Sequence, residues 1–146
     1  MKISSPVFEK NQIPAKYTCD GDNFNPPLQF SEIPANAKSL ALICDDPDAP
    51  SGSFVHWVLW NINPRETQIT ERSIPQGSNQ GKNSAGSSGY LGPCPPSGTH
   101  RYFFKLYALD TELELKLGTN KNQLEQAMQD HILEQAGLIG LYSRKS

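Results

Sequence analysis

Two apolar runs, residues 40–44 and 54–62, flank the connection Asp45-Asp46-Pro47-Asp48-Ala49-Pro50-Ser51-Gly52-Ser53, and no other stretch constrains the fold so tightly. Each run is short and nearly unbroken, as in a buried β-strand. Pro47 and Pro50 fix φ and remove backbone donors, which ends a ladder and stiffens the turn, and Gly52 then restores freedom. So short a connection suits antiparallel neighbours. Asp46 and Asp48 then leave the end of one strand where His56 enters the next, and the three polar side chains gather at one rim of a sheet.

The remaining composition agrees with a β-rich domain. Twelve prolines and 11 glycines in 146 residues fall between apolar runs, which predicts many turns. That length fits one domain, residues 1–146, able to bury roughly two-thirds of its unfolded surface without a metal or disulfide staple. With 13 basic and 15 acidic residues the net charge is -2, and no Lys/Arg cluster offers a nucleic-acid footprint. No apolar stretch reaches membrane-spanning length, and Met1-Lys2-Ile3-Ser4-Ser5-Pro6 does not read as a signal peptide. Cys19, Cys44 and Cys94 form neither an even set nor a Cys-x-x-Cys pair, so the expectation is packing cysteines in a reducing, cytoplasmic compartment.

Along the chain, residues 6–18 predict short edge strands, with Pro14 confined to an edge. Asn25-Pro26-Pro27-Leu28-Gln29-Phe30 predicts a stiff segment that lays Leu28 and Phe30 on the core, with a Pro-Pro bond that can be cis. Residues 65–89 are polar and glycine-rich and predict a long loop with at most a short strand, usually a functional or mobile feature. Residues 100–109 alternate two largely apolar faces, His100, Tyr102, Phe104, Leu106 and Ala108 against Arg101, Phe103, Lys105, Tyr107 and Leu109, which predicts a central strand. Asn120 with Gln123 reads as a capping box that opens a helix to about residue 136, with Leu124, Ala127, Met128 and His131 facing the sheet and Gly137 as its stop. Leu138, Ile139, Leu141 and Tyr142 then supply an apolar tail that docks on its own sheet or on a second copy.

The segment Gly92-Pro93-Cys94-Pro95-Pro96-Ser97-Gly98-Thr99-His100 repeats the grammar of the first connection: proline turn, glycine, histidine at a strand start. Together with Asp46-Pro47-Asp48-Ala49-Pro50, His56 and Arg101-Tyr102, and with Tyr17-Thr18-Cys19-Asp20-Gly21, Pro26-Pro27-Leu28 and His131-Ile132-Leu133, it resembles the phosphatidylethanolamine-binding protein family, also called the Raf kinase inhibitor protein family, in its bacterial and archaeal branch. The resemblance implies a mainly β fold, two antiparallel sheets packed as a Greek-key sandwich with short peripheral helices, one of them C-terminal. It also implies a small anion pocket at the rim, carried over onto Asp46, Asp48, Pro50, His56, Pro95, Pro96, His100 and Tyr102. Relatives of this branch are often dimeric, so a homodimer is expected.

The residues give that pocket a physical sense of their own. Two imidazoles and the backbone N–H groups of a Gly/Pro loop can form a nest for phosphate. The aspartates would repel an anion unless one orients a histidine, pairs with Arg101, or accepts an ammonium from a zwitterion such as phosphoethanolamine. Taken singly, Asp46 and Asp48 are turn formers, His56 and His100 are sheet histidines, His131 belongs to the helix stripe, and nothing marks Cys94 as a nucleophile. The pairing of two motifs favours a shared site. The expected function is therefore a non-enzymatic binding protein for phosphate or a phospholipid-headgroup-like anion, with a regulatory role and no cofactor or metal. The alternatives are a serine proteinase or kinase inhibitor acting through residues 65–89, and an acid–base or metal-dependent hydrolase built on Asp46, Asp48, His56 and His100. The hydrolase has residues but no nucleophile elbow or metal-ligand spacing.

Overall fold

The computed structural model describes residues 1–144. Two antiparallel sheets carry the fold: β1 (Lys2–Ser4), β2 (Leu28–Ser31) and β5 (Gln68–Ile69) form a three-stranded sheet, while β3 (Ser39–Asp46), β4 (Phe54–Ile62), β6 (Asn79–Gln80), β7 (His100–Leu109) and β8 (Ile132–Tyr142) form the larger one, in the order β6-β4-β3-β7-β8. β3 and β4 pair across the proline connection, and β7 lies on the far side of β3.

Strand period places the two cores. Every residue of β3 is buried, as a strand covered on both faces requires. Leu40, Leu42 and Cys44 join Trp57, Leu59, Phe104 and Leu106 in the layer between the sheets, against Ile3, Leu28, Phe30 and Ile69. Ala41 and Ile43 face the other way, with Val58, Trp60 and Tyr107 under α1 (Lys121–Met128) through Leu124 and Met128. The buried Asp45 carboxylate on that side is held by Lys105 at 3.2 Å and Lys121 at 2.9 Å, tying β3, β7 and α1 together. The alternation of residues 100–109 appears as expected, His100, Tyr102 and Phe104 turned to the inner side.

Four expectations are corrected. Residues 6–18 form two 3₁₀ turns, Glu9–Asn11 and Ala15–Tyr17, rather than edge strands, and only Gln12 bridges to Leu141. The capping box is present, Asn120 Oδ1 accepting from the Gln123 N–H and Gln123 Oε1 from the Asn120 N–H, but the helix stops at Met128. Asp130 at φ 69° makes the turn, His131 binds Asp110, and residues 132–142 become β8, so Gly137 is a strand residue and not a helix stop. Ile132, Leu133 and Ala136 satisfy a helical stripe and a strand run alike, and pairing with β7 along its whole length decided for the strand. The Pro26–Pro27 bond is trans. Finally, Cys19 and Cys94 form a disulfide, leaving Cys44 as the free, buried thiol; a separation of 75 residues hides such a pair from spacing arguments. The disulfide removes the cysteine argument for a reducing compartment.

Residues 65–89 carry β5 and β6 and otherwise follow turns tied to the body, the Asn25 carbonyl accepting from the Arg72 N–H at 3.1 Å and Asn25 Oδ1 from the Ser73 N–H at 3.0 Å. The apolar tail pairs with β7 as part of β8; Tyr142 is buried and donates to Asp20 Oδ2 at 2.5 Å, while Ile139 stays 42% exposed. No helix among the described residues is long and apolar enough to cross a membrane.

Candidate functional site

A bulge in β4 aims the first histidine. Cys44 pairs with Trp57 and Asp45 with Val55, so His56 is an extra residue with no partner on β3. In a regular strand His56 would share the α1 side with Val58; the bulge turns it to the same side as Trp57, a common use of this irregularity near sites. There its ring packs 4.8 Å from Phe54 and 5.2 Å from Tyr102, centroid to centroid. His100, first residue of β7, stacks on Tyr102 with ring centroids 6.5 Å apart.

Both imidazoles are fixed through the same nitrogen. His56 Nδ1 lies 2.6 Å from the Leu91 carbonyl and His100 Nδ1 lies 2.7 Å from Asp46 Oδ2. A carbonyl and a carboxylate only accept, so each Nδ1 carries the proton, and among the described residues neither Nε2 has a hydrogen-bond partner. Neutral rings thus offer lone pairs at Nε2, and protonated rings offer donors. Burial holds His56 below the ordinary histidine range; its bond to Leu91 and the charges of Asp46 and Asp45 pull the other way without prevailing. Protonated His100 is an ion pair with the buried Asp46.

Asp46 uses its second oxygen locally, Oδ1 accepting from the Asp48 N–H at 2.7 Å, so one carboxylate both closes the turn and orients a histidine. Asp48 takes a different path. It faces Arg101, accepting from Nε at 3.0 Å, from an Nη at 2.9 Å and from the Arg101 backbone N–H at 2.9 Å, and these bonds bring its pKa down to about 2. Asp48 therefore braces the rim outside the cavity, and Arg101 is neutralised there.

Asp46, Pro50, His56, Pro95, Pro96, His100 and Tyr102 line one cavity of about 290 Å³ with a mostly apolar wall. Of the residues singled out from sequence, only Asp48 lies off the lining. Phe54, Leu91 and the disulfide-bonded Cys19 and Cys94 also line it. Phe54 read as a strand residue and the cysteines as packing; the repeated turn grammar around Cys94 was the one available signal. Tyr102 is 1% exposed, and its Oη is the one buried side-chain polar atom among the described residues without a partner. Such an orphan hydroxyl costs stability unless something else satisfies it. A larger cleft of about 410 Å³ opens beside the start of α1, but it holds no histidine and its Lys121 is committed to Asp45. Among the described residues no three His, Cys, Asp or Glu side chains converge as a metal site.

This is a two-sheet β protein with a small two-histidine cavity at the sheet rim. Residues 3–143 match the family model described as phosphatidylethanolamine-binding protein. A UPF0098 protein of Methanothermobacter thermautotrophicus is 55% identical over 99% of both chains, and one of Chlamydia muridarum is 44% identical over 99% of both. Among solved structures, a phosphatidylethanolamine-binding protein homologue from Chlamydia trachomatis superposes with a TM-score of 0.94 at 41% identity, covering 99% of this chain and 97% of that one. YbcL of E. coli superposes with 0.90 at 27% identity, covering 99% and 98%. The chain belongs to the phosphatidylethanolamine-binding protein family.

Proposed function

We propose that the protein is a non-enzymatic binding protein whose rim cavity takes a phosphate-bearing or similar small anion of headgroup size. The observation that carries this reading is that His56 and His100, each anchored through Nδ1, line one mostly apolar cavity with Tyr102, whose Oη is, among the described residues, the buried side-chain polar atom without a partner. Since each Nδ1–H is already spent, an imidazole can donate to an anion only when doubly protonated, while the Tyr102 hydroxyl can donate at any pH below its raised pKa. A volume near 290 Å³ is at the small end of ligand sites and suits a headgroup rather than acyl chains. Both Asp46 oxygens are engaged and Asp48 belongs to Arg101, so an ammonium finds no uncommitted carboxylate; methyl phosphate and phosphoethanolamine should bind within a few-fold of each other.

Sulfate is the probe of choice because its charge does not change over the relevant range. Calorimetric titration should show tighter binding at about pH 5.5 than at about pH 8, since free histidine titrates near 6.5. His56→Ala and His100→Ala should each weaken it about tenfold or more. Equal affinity at both pH values, with both variants binding like the parent, would leave backbone donors as the whole site.

A further inference from the structure

We infer that the Cys19–Cys94 disulfide holds the mouth of this cavity in its binding shape, so that ligand affinity is under thiol–disulfide control. The inference rests on the anion-cavity reading and adds regulation to the same site. Both half-cystines line the cavity, and Cys94 is exposed, so a dithiol reductant can reach the bond.

Upstream the wall is anchored at Leu91, which donates its N–H to the His56 carbonyl at 2.9 Å and accepts from His56 Nδ1 at 2.6 Å; past Leu91 the ties are few. Pro93, Pro95 and Pro96 have no N–H to donate. The Pro93 carbonyl accepts from the Cys19 N–H at 3.1 Å, and Asn23 Oδ1 accepts from the Gly92 N–H at 2.8 Å, both beside the disulfide. Beyond Cys94, among the described residues no hydrogen bond ties residues 95–99 to another part of the chain before β7 begins at His100. Buried Pro95 and exposed Pro96, which line the cavity, therefore rely on packing and on the disulfide between Cys94 and the β7 start. On the other side the anchor is firm: Asp20, next to Cys19, accepts from Tyr142 of β8 and from Arg144 Nε at 3.3 Å.

Reduction breaks one Sγ–Sγ bond. A dithiol supplies two electrons and leaves as its own disulfide, and its two protons end on Cys19 and Cys94 as thiols. The proline wall then loses its covalent tie while the sheets, which do not depend on it, stay paired. Binding must now order that wall, and affinity falls.

The test compares oxidised protein, protein reduced with dithiothreitol, and the Cys19→Ser/Cys94→Ser double variant. Sulfate affinity is measured by calorimetry, and amide exchange of Cys19, Gly92 and the β3 residues by NMR. The expected result is a fall in sulfate affinity of about tenfold on reduction, matched by the double variant, with faster exchange at Cys19 and Gly92 and unchanged protection in β3. Equal affinity in the two redox states overturns the inference, as does unchanged exchange at Cys19 and Gly92. Loss of β3 protection overturns it too, because the disulfide would then hold the whole fold rather than the mouth. If even the oxidised protein fails to bind sulfate, the anion reading itself fails, and the exchange data still decide whether the wall depends on the bond.

Discussion

Tyr102 packs against both histidines, all three are buried, and among the described residues nothing satisfies its hydroxyl. Tyr102→Phe should therefore leave stability unchanged or raise it by about 1–2 kcal/mol while weakening sulfate binding, the opposite signs that mark a group kept for a ligand. Chemical denaturation and calorimetry of the same sample check both halves. His56 makes a second prediction through linkage. Burial lowers its pKa in the folded state, so below about 6.5 the unfolded chain takes up a proton that the folded chain refuses. Its contribution is present above that pH and is lost as pH falls from about 6.5 towards the folded value. His56→Phe removes the titration and leaves the Leu91 carbonyl unpaired, which should cost about 1–3 kcal/mol at neutral pH and flatten the decline in stability as pH falls below about 6.5. An equally steep decline in the variant would show that His56 is not the group responsible.

At the scale of elements, the site depends on two local irregularities. One is the β4 bulge that turns His56 inward. The other is the close approach of Gly92 to the 17–23 segment: a Cβ there would lie 2.9 Å from Thr18 Cα and closer still to the Tyr17 carbonyl and Asn23 Oδ1. Gly92→Ala should cost about 1–3 kcal/mol of stability and weaken sulfate binding, because the proline wall must back away from those atoms. Thermal unfolding and a sulfate titration together test this. In the sequence the strands around the site were legible, because residues 40–44, 54–62 and 100–109 are long apolar or alternating runs with proline and glycine punctuation. The bulge was not: one extra residue leaves no mark on periodicity when both faces of the strand are apolar. α1 was half legible. Its capping box fixed the start, and Asn120→Ala should cost about 1 kcal/mol, read by denaturant midpoint, but the end at Met128 was set by the competition of β8 for β7.

Across the whole molecule, the division into two cores follows from β3 being apolar on both faces, with the three-stranded sheet covering one side and α1 the other. The gathering of His56 and His100 could be anticipated because each lies near the start of a strand after a proline turn, and β3 lies between those strands. Less visible were long-range partners chosen by tertiary fit: Cys19 with Cys94, and Asp48 with Arg101 rather than with the cavity. The central claim is that the two Nε2 atoms face and hold the anion. Nitrogen-15 NMR of histidine-labelled protein, titrated with sulfate near pH 6, addresses it directly. The account predicts that without sulfate both neutral rings carry their proton on Nδ1, and that sulfate shifts both Nε2 resonances towards the protonated value in a saturable way. Nε2 signals of His56 and His100 that stay fixed while sulfate binds, or neutral rings protonated on Nε2, would contradict it.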